Sequence, residues 1–214
     1  MMQVFRALAA GFSMAASLAA AVPPTNAELE EVCAQAEDAA HCGRLVEEMQ
    51  MRRLPSLARR EGRTLSVSLF PSGTATFTDS EDVIQGRSYS LWDYLDALNA
   101  VLLYTTAGDN VTFTLVQRAN NRRVELPTEP QLAPDRRRLV TADVCERRCS
   151  NEIAVWRIAP EAIRKELAWP VDTSWLDAGA KWKDAETLTI EYTRADGSGT
   201  LERTLSDPAW KRIP

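Results

Sequence analysis

Apolar residues along the chain follow two different periods, and the change between them divides the sequence. Over residues 28–48 they recur every three or four positions, the period of a helix that buries one face. A break at His41–Gly43 leaves two alternatives, two short helices or one interrupted helix. Pro55 ends this pattern, and Ser56–Arg60 is predicted to be a last helical turn that Gly62 caps.

From Thr64 onward the apolar residues alternate with polar ones, as they do in half-buried strands. Turn residues separate the strands at intervals of roughly ten residues, which is typical of an all-β fold. The predicted strands are Thr64–Phe70, Thr74–Thr78, Asn99–Thr106, Val111–Arg118, Arg122–Leu126, Arg138–Ala142, Glu152–Ile158, Arg164–Trp169, Thr187–Arg194 and Thr200–Leu205. They form four antiparallel meander units, Thr64–Tyr89, Asn99–Leu126, Leu132–Trp169 and Lys181–Leu205. The predicted fold class is therefore mainly β, with the meander units in a small propeller-like or sandwich arrangement.

Several connecting segments are predicted to be irregular. Trp92–Leu98 is interpreted as a turn or helical loop, Pro170–Gly179 as a loop, and the tail after Asp207 as irregular. The acidic loop Asp79–Arg87 lacks the spacing and the central glycine of an EF-hand, so we expect it to be exposed. The segment Ala159–Glu161 is either one helical turn that starts at a proline or a hairpin loop.

The first 27 residues have the layout of a secretory signal peptide. Arg6 precedes a short, alanine-rich apolar run, and small residues follow it; an uncleaved N-terminal anchor is the alternative. Cleavage is predicted after Ala27, with Ala21 as the other candidate. The predicted organisation is thus a signal peptide at 1–27, a helical arm at 28–62 and an antiparallel β domain at 63–214, in a periplasmic or secreted protein with no membrane span after signal removal.

The four cysteines lie in two local pairs, Cys33/Cys42 and Cys145/Cys149. In an exported chain an even number of cysteines indicates disulfides, because the compartment is oxidising. Pairing of nearest neighbours is favoured among the three possible connectivities. The alternative for Cys145/Cys149 is a redox-active or metal-responsive pair, because the two arginines between these cysteines would favour the thiolate.

Charge and residue inventory argue against several functions. The chain has 25 Lys and Arg against 30 Asp and Glu, a net charge of −5, which disfavours nucleic acid. The arginine pairs are scattered among acids and are predicted to lie on solvated surface. The sole histidine, His41, lies in the cysteine loop of the arm, so neither a Ser-His nor a Cys-His catalytic arrangement is supported. We predict no catalytic residue, no cofactor and no metal; the alternative is an envelope hydrolase that uses paired carboxylates.

The stretch Glu129–Ile158 carries motifs of a known fold family. Ala133-Pro134-Asp135 corresponds to a Ser-Pro-Asp turn, Leu139–Ala142 to the next strand, and Asn151–Trp156 to a strand that ends in Val-Trp. The stretch resembles a blade of WD40- or TolB-type β-propellers, although Arg136 stands where the blade turn has glycine. The order of elements is similar to exported bacterial proteins of unknown function. This resemblance implies a β fold and supplies no catalytic residues.

The most individual surface feature is the loop Val144–Ser150, which carries Arg147 and Arg148 between two cysteines. Trp175 is predicted to be exposed in a polar loop, where an aromatic side chain could bind a sugar or a protein. The predicted interaction surface therefore consists of Arg147, Arg148 and Trp175. The predicted function is an exported, non-catalytic binding or interaction module whose partner is an envelope protein or a cell-wall or sugar ligand.

Overall fold

The computed structural model describes residues 23–82, 86–159 and 161–214. Most of the predicted signal peptide, the candidate cleavage position at Ala21 and Pro160 lie outside the described residues. Within these ranges the chain forms two α-helices and fifteen strands, all paired antiparallel, which confirms a mainly β fold. No described helix is both long and apolar enough to cross a membrane.

The helical arm contains two separate helices, α1 (Asn26–Cys33) and α2 (Ala39–Arg53). A capping box starts α1, because the Thr25 hydroxyl accepts a hydrogen bond from the Glu28 N–H while the Glu28 carboxylate accepts one from the Thr25 N–H. Asp38 caps α2 by accepting a hydrogen bond from the His41 N–H at 2.7 Å. The first of the two predicted alternatives is therefore confirmed.

The break between the helices lies before His41–Gly43, which belongs to α2, so its predicted position was wrong. Gly43 faces the sheet that α2 covers. A Cβ atom at Gly43 would lie 2.8 Å from Tyr104 Cδ1 and 3.0 Å from Ser90 Oγ, closer than packed atoms approach. The glycine therefore serves close packing of the helix and does not interrupt it.

Four antiparallel sheets follow the arm. The first contains β1 (Ala58–Glu61), β2 (Thr64–Ser68) and β3 (Thr74–Thr78). The second contains β4 (Arg87–Leu95), β5 (Ala100–Ala107), β6 (Asn110–Gln117) and β7 (Arg122–Leu126). The third contains β8 (Gln131–Leu132), β9 (Arg138–Asp143), β10 (Glu152–Ile158) and β11 (Ile163–Pro170). The fourth contains β12 (Trp175–Trp182), β13 (Thr187–Arg194) and β14 (Gly197–Thr204), and β15 (Lys211–Arg212) returns to pair with β11 at the edge of the third sheet.

Two further predictions for the first half of the chain were wrong. Ser56–Arg60 does not form a helical turn, because Ala58–Glu61 pairs with β2 and Gly62 forms the hairpin turn at φ +55°. Trp92–Leu98 is mostly strand: β4 runs to Leu95, and only Asp96–Leu98 forms a 3₁₀ turn. A register shift between Leu91 and Asp93 lets both Leu91 and Trp92 be buried, which hides the alternating pattern from sequence inspection.

Two predictions for the second half were also wrong. Pro170–Gly179 is not all loop, since β12 begins at Trp175. The tail is not irregular throughout, because β15 pairs with β11 and Trp210 is buried. Both segments are ordered by partners distant in sequence, which local patterns do not reveal. Ala159 and Ala162 hydrogen-bond to each other across the β10–β11 connection, which fits the hairpin loop of the two predicted alternatives.

Three hydrophobic clusters lie between successive sheets. Val67 and Leu103 belong to the cluster between the first and second sheets. Leu102 and Leu139 belong to the next, where α2 contributes Val46, and Val155 belongs to the cluster between the third and fourth sheets. The second and third sheets are therefore buried on both faces. The meander sheets stack face to face in chain order, and among the described residues no cluster joins the first sheet to the fourth.

Candidate functional site: the stapled loop

The stapled loop, Val144–Ser150, connects β9 to β10 in the third sheet. A disulfide joins Cys145 to Cys149, and a second joins Cys33 to Cys42. These bonds confirm the prediction of two local disulfides. The loop is a short covalent ring that projects from the end of a hairpin whose two strands lie inside the stack.

Hydrogen bonds hold the base of the stapled loop. Asp143 Oδ2 accepts two of them from Ser150, from its N–H at 2.8 Å and from its hydroxyl at 2.6 Å. The Cys145 N–H donates to Asn151 Oδ1 at 3.3 Å. Cys145 also forms an isolated β-bridge with Asp177 of β12. The loop is thus attached to both the third and the fourth sheet.

The backbone of the stapled loop adopts conformations that most side chains avoid. Arg148 has φ +70°, and Asn151, which directly follows the loop, has φ +51°, both in the left-handed region. An arginine in this region costs about 1 kcal/mol, so the surrounding structure must maintain it. The disulfide and the hydrogen bonds from Ser150 provide that constraint. The arginines therefore project from a backbone whose shape is fixed before any ligand arrives.

The side chains of Arg147 and Arg148 both lie on the surface. The Arg148 Nη1 atom lies 3.4 Å from Asp109 Oδ2, and the two side chains are 75% and 89% exposed. Exposed ion pairs of this kind contribute between about 0 and 1 kcal/mol. Arg147 forms no ion pair with any other residue that the structure describes. Both guanidinium groups can therefore engage an external group at little energetic cost.

A cleft of about 390 Å³ lies beside the stapled loop. Its walls come from the start of β6, the segment after β7, and the loop itself; they include Asn110, Thr112, Pro127, Thr128 and Asp143. The hydroxyl oxygen of Thr128 is buried and has no hydrogen-bond partner in the described structure. Such an atom can donate or accept a hydrogen bond. The cleft is therefore lined by both arginines of the stapled loop and by the carboxylates of Asp109 and Asp143, and the Thr128 hydroxyl lies buried behind its surface.

Trp175 does not belong to this surface, and the prediction that it is exposed was wrong. It is only 4% exposed and lies in the cluster between the third and fourth sheets. Its ring stacks on Tyr192 with a centroid distance of 4.2 Å and meets Trp169 edge to face at 5.6 Å. The polar residues before it form a turn, but Trp175 itself starts β12, where a large aromatic ring fills the core. Of the three predicted surface residues, the structure brings together Arg147 and Arg148 only.

A group of four charges, in which Glu47 is buried and Arg44, Arg60 and Asp79 are half-buried, joins the arm to the first two sheets. Glu47 is 1% exposed; its carboxylate forms an ion pair with Arg60, with Arg60 Nη2 donating to Oε2 at 2.9 Å, and accepts the Leu91 N–H at 3.0 Å. Asp79 pairs with Arg44 and accepts hydrogen bonds from Arg60 Nη1 at 3.2 Å and the Tyr89 N–H at 2.9 Å. Burial lowers the pKa of Arg44, and the neighbouring Arg60 lowers it further.

This network has as many positive as negative charges, and each carboxylate also binds a backbone N–H of β4. Its chemistry is therefore that of a structural connection. The predictions that Arg60 and Asp79 lie on solvated surface were wrong, because both side chains are only 13% exposed. The sequence offered a single signal, the i, i+3 spacing of Arg44 and Glu47 on a helix.

Two more carboxylates, Asp93 and Glu129, lie in partly apolar surroundings. Burial raises the pKa of both carboxyl groups, and the charge of Asp93 raises that of Glu129 further. Trp92 Nε1 donates to Glu129 Oε1 at 3.0 Å, and Gln50 Nε2 donates to Asp93 Oδ1 at 3.4 Å. Neither residue lines the cleft beside the stapled loop. Their hydrogen bonds lead back into the fold, which assigns them to packing of α2 against the second sheet.

Among the described residues there is no group of three or more His, Cys, Asp or Glu side chains that could hold a metal ion. Comparisons with known proteins add no relative, since no protein-family model matches the chain and no curated protein matches it significantly. The functional assignment therefore rests on the geometry of the stapled loop.

Proposed function

We propose that this protein is an exported, non-catalytic binding module whose stapled loop recognises a ligand that carries carboxylate groups. The observation behind this proposal is the pair of exposed guanidinium groups, Arg147 and Arg148, which a covalently closed loop holds in the lining of a 390 Å³ cleft. Export is inferred from the signal-like N-terminus and from the two disulfides, which persist in oxidising compartments.

The chemistry of arginine selects the ligand class. A guanidinium group presents several donors in a plane that matches the two oxygens of a carboxylate, and charge-assisted hydrogen bonds of this kind are stronger than neutral ones. Because the loop is already constrained, binding loses less conformational entropy than it would in a flexible loop. The Arg148–Asp109 ion pair is weak enough to exchange for a ligand carboxylate.

Carboxylates in the cell envelope have two main sources, acidic segments of proteins and the peptide stems of the cell wall. Both present the same group to the stapled loop. Sugar recognition on an aromatic platform is not part of the proposal, because Trp175 lies in the core. The ligand is therefore defined by its carboxylates, and the experiment distinguishes its source.

Fluorescence anisotropy with two labelled probes tests this proposal. One probe is an Asp- and Glu-rich peptide and the other a soluble peptidoglycan fragment; amidated versions of each serve as charge-free controls. We expect Arg147→Ala/Arg148→Ala to weaken binding of the acidic probe by about tenfold or more, as loss of two charge-assisted hydrogen bonds predicts. The matched control is Arg157→Ala/Arg164→Ala, which removes two exposed arginines that face each other on β10 and β11.

The control variant should bind within about twofold of the wild type, because Arg157 and Arg164 do not line the cleft. A twofold change corresponds to about 0.4 kcal/mol. Tighter binding of one acidic probe identifies the source of the carboxylate. The proposal is overturned if the wild-type protein binds neither acidic probe better than its amidated version. It is also overturned if both arginine pairs affect binding equally, because net charge would then be the cause.

A further inference from the structure

The strands at the edges of the four sheets differ in how well they are protected against pairing with another chain. An edge strand exposes unpaired backbone N–H and C=O groups, and proteins protect such edges with charged side chains, prolines, bulges or very short strands. Charged residues occur on β1 (Arg59, Arg60, Glu61), β4 (Arg87, Asp93), β7 (Arg122, Arg123, Glu125), β12 (Asp177, Lys181), β14 (Glu202, Arg203) and β15 (Lys211, Arg212). The remaining edges are β8, which has two residues, and β3.

Among the described edge strands, β3 (Thr74–Thr78) is the one that has none of these protections. Its unpaired side is called the β3 edge. The strand has the sequence Thr-Ala-Thr-Phe-Thr, which contains no charge and no proline, and it pairs with β2 in one unbroken register from Ser68↔Thr74 to Thr64↔Thr78. The threonines are exposed, whereas Ala75 and Phe77 are buried at 2% and 3% exposure. Among the described hydrogen bonds outside the strand pairings, no backbone group of this strand has a partner. The edge is thus regular and uncharged along its own residues, and Arg123 of β7 packs over the Phe77 ring on the buried face at 4.2 Å.

We propose that the β3 edge pairs antiparallel with the β3 edge of a second copy of this chain. A two-fold axis at Thr76 places Thr74 opposite Thr78 and the small Ala75 opposite the large Phe77. Cross-strand threonine pairs and pairs of small with large apolar residues are compatible in an antiparallel sheet. The pairing joins two three-stranded sheets into one six-stranded sheet and continues the buried face formed by Ala75 and Phe77.

The charges on the other edges favour this symmetric arrangement. Pairing of the β3 edge with a different edge of a second copy would place its uncharged backbone beside the charged residues of that strand. It would also leave edges unpaired at both ends, which permits open chains of molecules. The two-fold arrangement uses the same uncharged strand twice and closes after two copies.

Phe70, which lies between β2 and β3, supplies a second observation. Its side chain is 58% exposed, and it is the large hydrophobic residue that the described surface leaves most open to solvent. Its backbone N–H donates a hydrogen bond to the Arg118 carbonyl oxygen at 3.0 Å, which holds the hairpin loop between β2 and β3 in place. Apolar surface beside an uncharged strand edge is typical of a protein interface.

Light scattering after size-exclusion chromatography tests this inference on the full exported chain. Across roughly 10⁻⁶ to 10⁻⁴ M, the range in which an interface of micromolar affinity fills, we expect the mass to rise from one copy to two. Thr76→Lys places two like charges face to face at the axis and should weaken the dimer by up to about fivefold, since opposed pairs contribute up to about 1 kcal/mol. The matched control is Ser66→Lys, which adds the same charge on the same sheet face but on the central strand, opposite Thr76.

Thr76→Cys provides a readout that does not depend on a loss of association. Directly opposed residues in an antiparallel pair have Cα atoms about 4.5–5.5 Å apart, which a disulfide can span. We expect this variant to form a covalent dimer on oxidation and Ser66→Cys to remain monomeric. A wild-type chain that stays monomeric at the highest concentration, or a dimer that Thr76→Lys and Ser66→Lys weaken equally, overturns the inference. Equal crosslinking of the two cysteine variants overturns it as well.

Discussion

The two disulfide-bearing segments of this chain are built from the same covalent element but have opposite surroundings. In the arm, Cys33 and Cys42 are half-buried against the hydrophobic cluster that joins α2 to the second and third sheets. Two cations that the arm helps to bury, Arg44 and Arg60, pair with the carboxylates of Glu47 and Asp79. The cysteines of the stapled loop are half-buried as well, but they belong to no hydrophobic cluster of the described residues, and Arg147 and Arg148 between them are exposed.

The two segments therefore differ in where the partners of their arginines lie. Near a disulfide with a structural role the partners are buried, whereas near one that presents side chains to solvent they are exposed or, among the described residues, absent. A buried arginine needs a buried partner, and the pair then connects elements of the fold. An exposed arginine with a weak partner, such as Arg148 with Asp109, contributes little to stability and stays available for a ligand. We therefore expect changes in the arm to alter stability and changes in the stapled loop to alter binding.

The largest expected effect comes from the buried carboxylate of the arm. Glu47→Ala removes the partner of Arg60 and leaves the Leu91 N–H without its acceptor. Removal of one member of a buried ion pair destabilises proteins by about 3–5 kcal/mol, because an uncompensated charge stays buried. Urea unfolding measures this loss. Glu48→Ala, at the exposed neighbouring position of α2, should change the free energy of unfolding by less than about 0.5 kcal/mol. Equal effects of the two variants would contradict the structural assignment.

Removal of each disulfide should affect stability and binding differently. The chain-entropy treatment predicts a loss of about 3 kcal/mol for Cys33→Ala/Cys42→Ala, whose separation is nine residues, and about 2 kcal/mol for Cys145→Ala/Cys149→Ala, whose separation is four. Binding should separate the two variants more clearly than stability does. Only the variant without the loop disulfide should lose affinity for the carboxylate probe, measured under conditions in which both remain folded. If both variants lose affinity, the stapled loop has no special role in recognition.

Features determined by neighbouring residues could be predicted from the sequence. The alternating pattern located β13 at Thr187–Arg194 and β10 at Glu152–Ile158, and the spacing of the cysteines indicated both disulfides. A series of four antiparallel meander units was predicted as well, because hairpins pair strands that are adjacent in the chain, but Tyr89, assigned to the first unit, belongs to β4 of the second sheet.

Features determined by distant contacts could not be predicted. Trp175 follows a polar turn, but its burial depends on Tyr192 and Trp169, which come from other strands. The partners of Glu47 lie on β1 and β4, and nothing local in the sequence marks Arg60 as a buried cation. For the candidate site, the sequence indicated Arg147 and Arg148. The walls of the cleft around Thr112 and Thr128 come from the second sheet and the segment after it, and nothing in the sequence indicated that they lie beside the loop.

The dependence of stability on pH provides a further comparison of buried and exposed acids. Burial raises the pKa values of Asp93 and Glu129 above their ordinary values of 3.8 and 4.5. The folded state therefore holds more protons than the unfolded state at pH values above these ordinary ones, and the free energy of unfolding falls as the pH rises through that window. Asp93→Asn/Glu129→Gln should flatten this slope between pH 4 and pH 7 in urea titrations. The same slope in the double variant and the wild type would contradict the assignment.

Glu146→Gln is the control for this pH experiment, because Glu146 is an exposed acid inside the stapled loop. A slope that responds to Glu146→Gln as strongly as to the double variant would mean that burial is not the cause.

The smallest expected effects come from two arginines with positive φ angles, Arg136 at +61° in the turn before β9 and Arg148 at +70° in the stapled loop. Replacement of either by glycine relieves backbone strain and also increases the entropy of the unfolded chain, so the net gain in stability should be a few tenths to about 1 kcal/mol. Thermal unfolding should detect a similar shift for both variants. Binding should distinguish them, since Arg148→Gly removes a guanidinium group from the cleft and Arg136→Gly does not. If both variants gain stability but only Arg148→Gly loses affinity, then Arg148 lowers the stability of the fold and contributes to recognition. If the affinity of Arg148→Gly is unchanged, recognition depends on Arg147 alone.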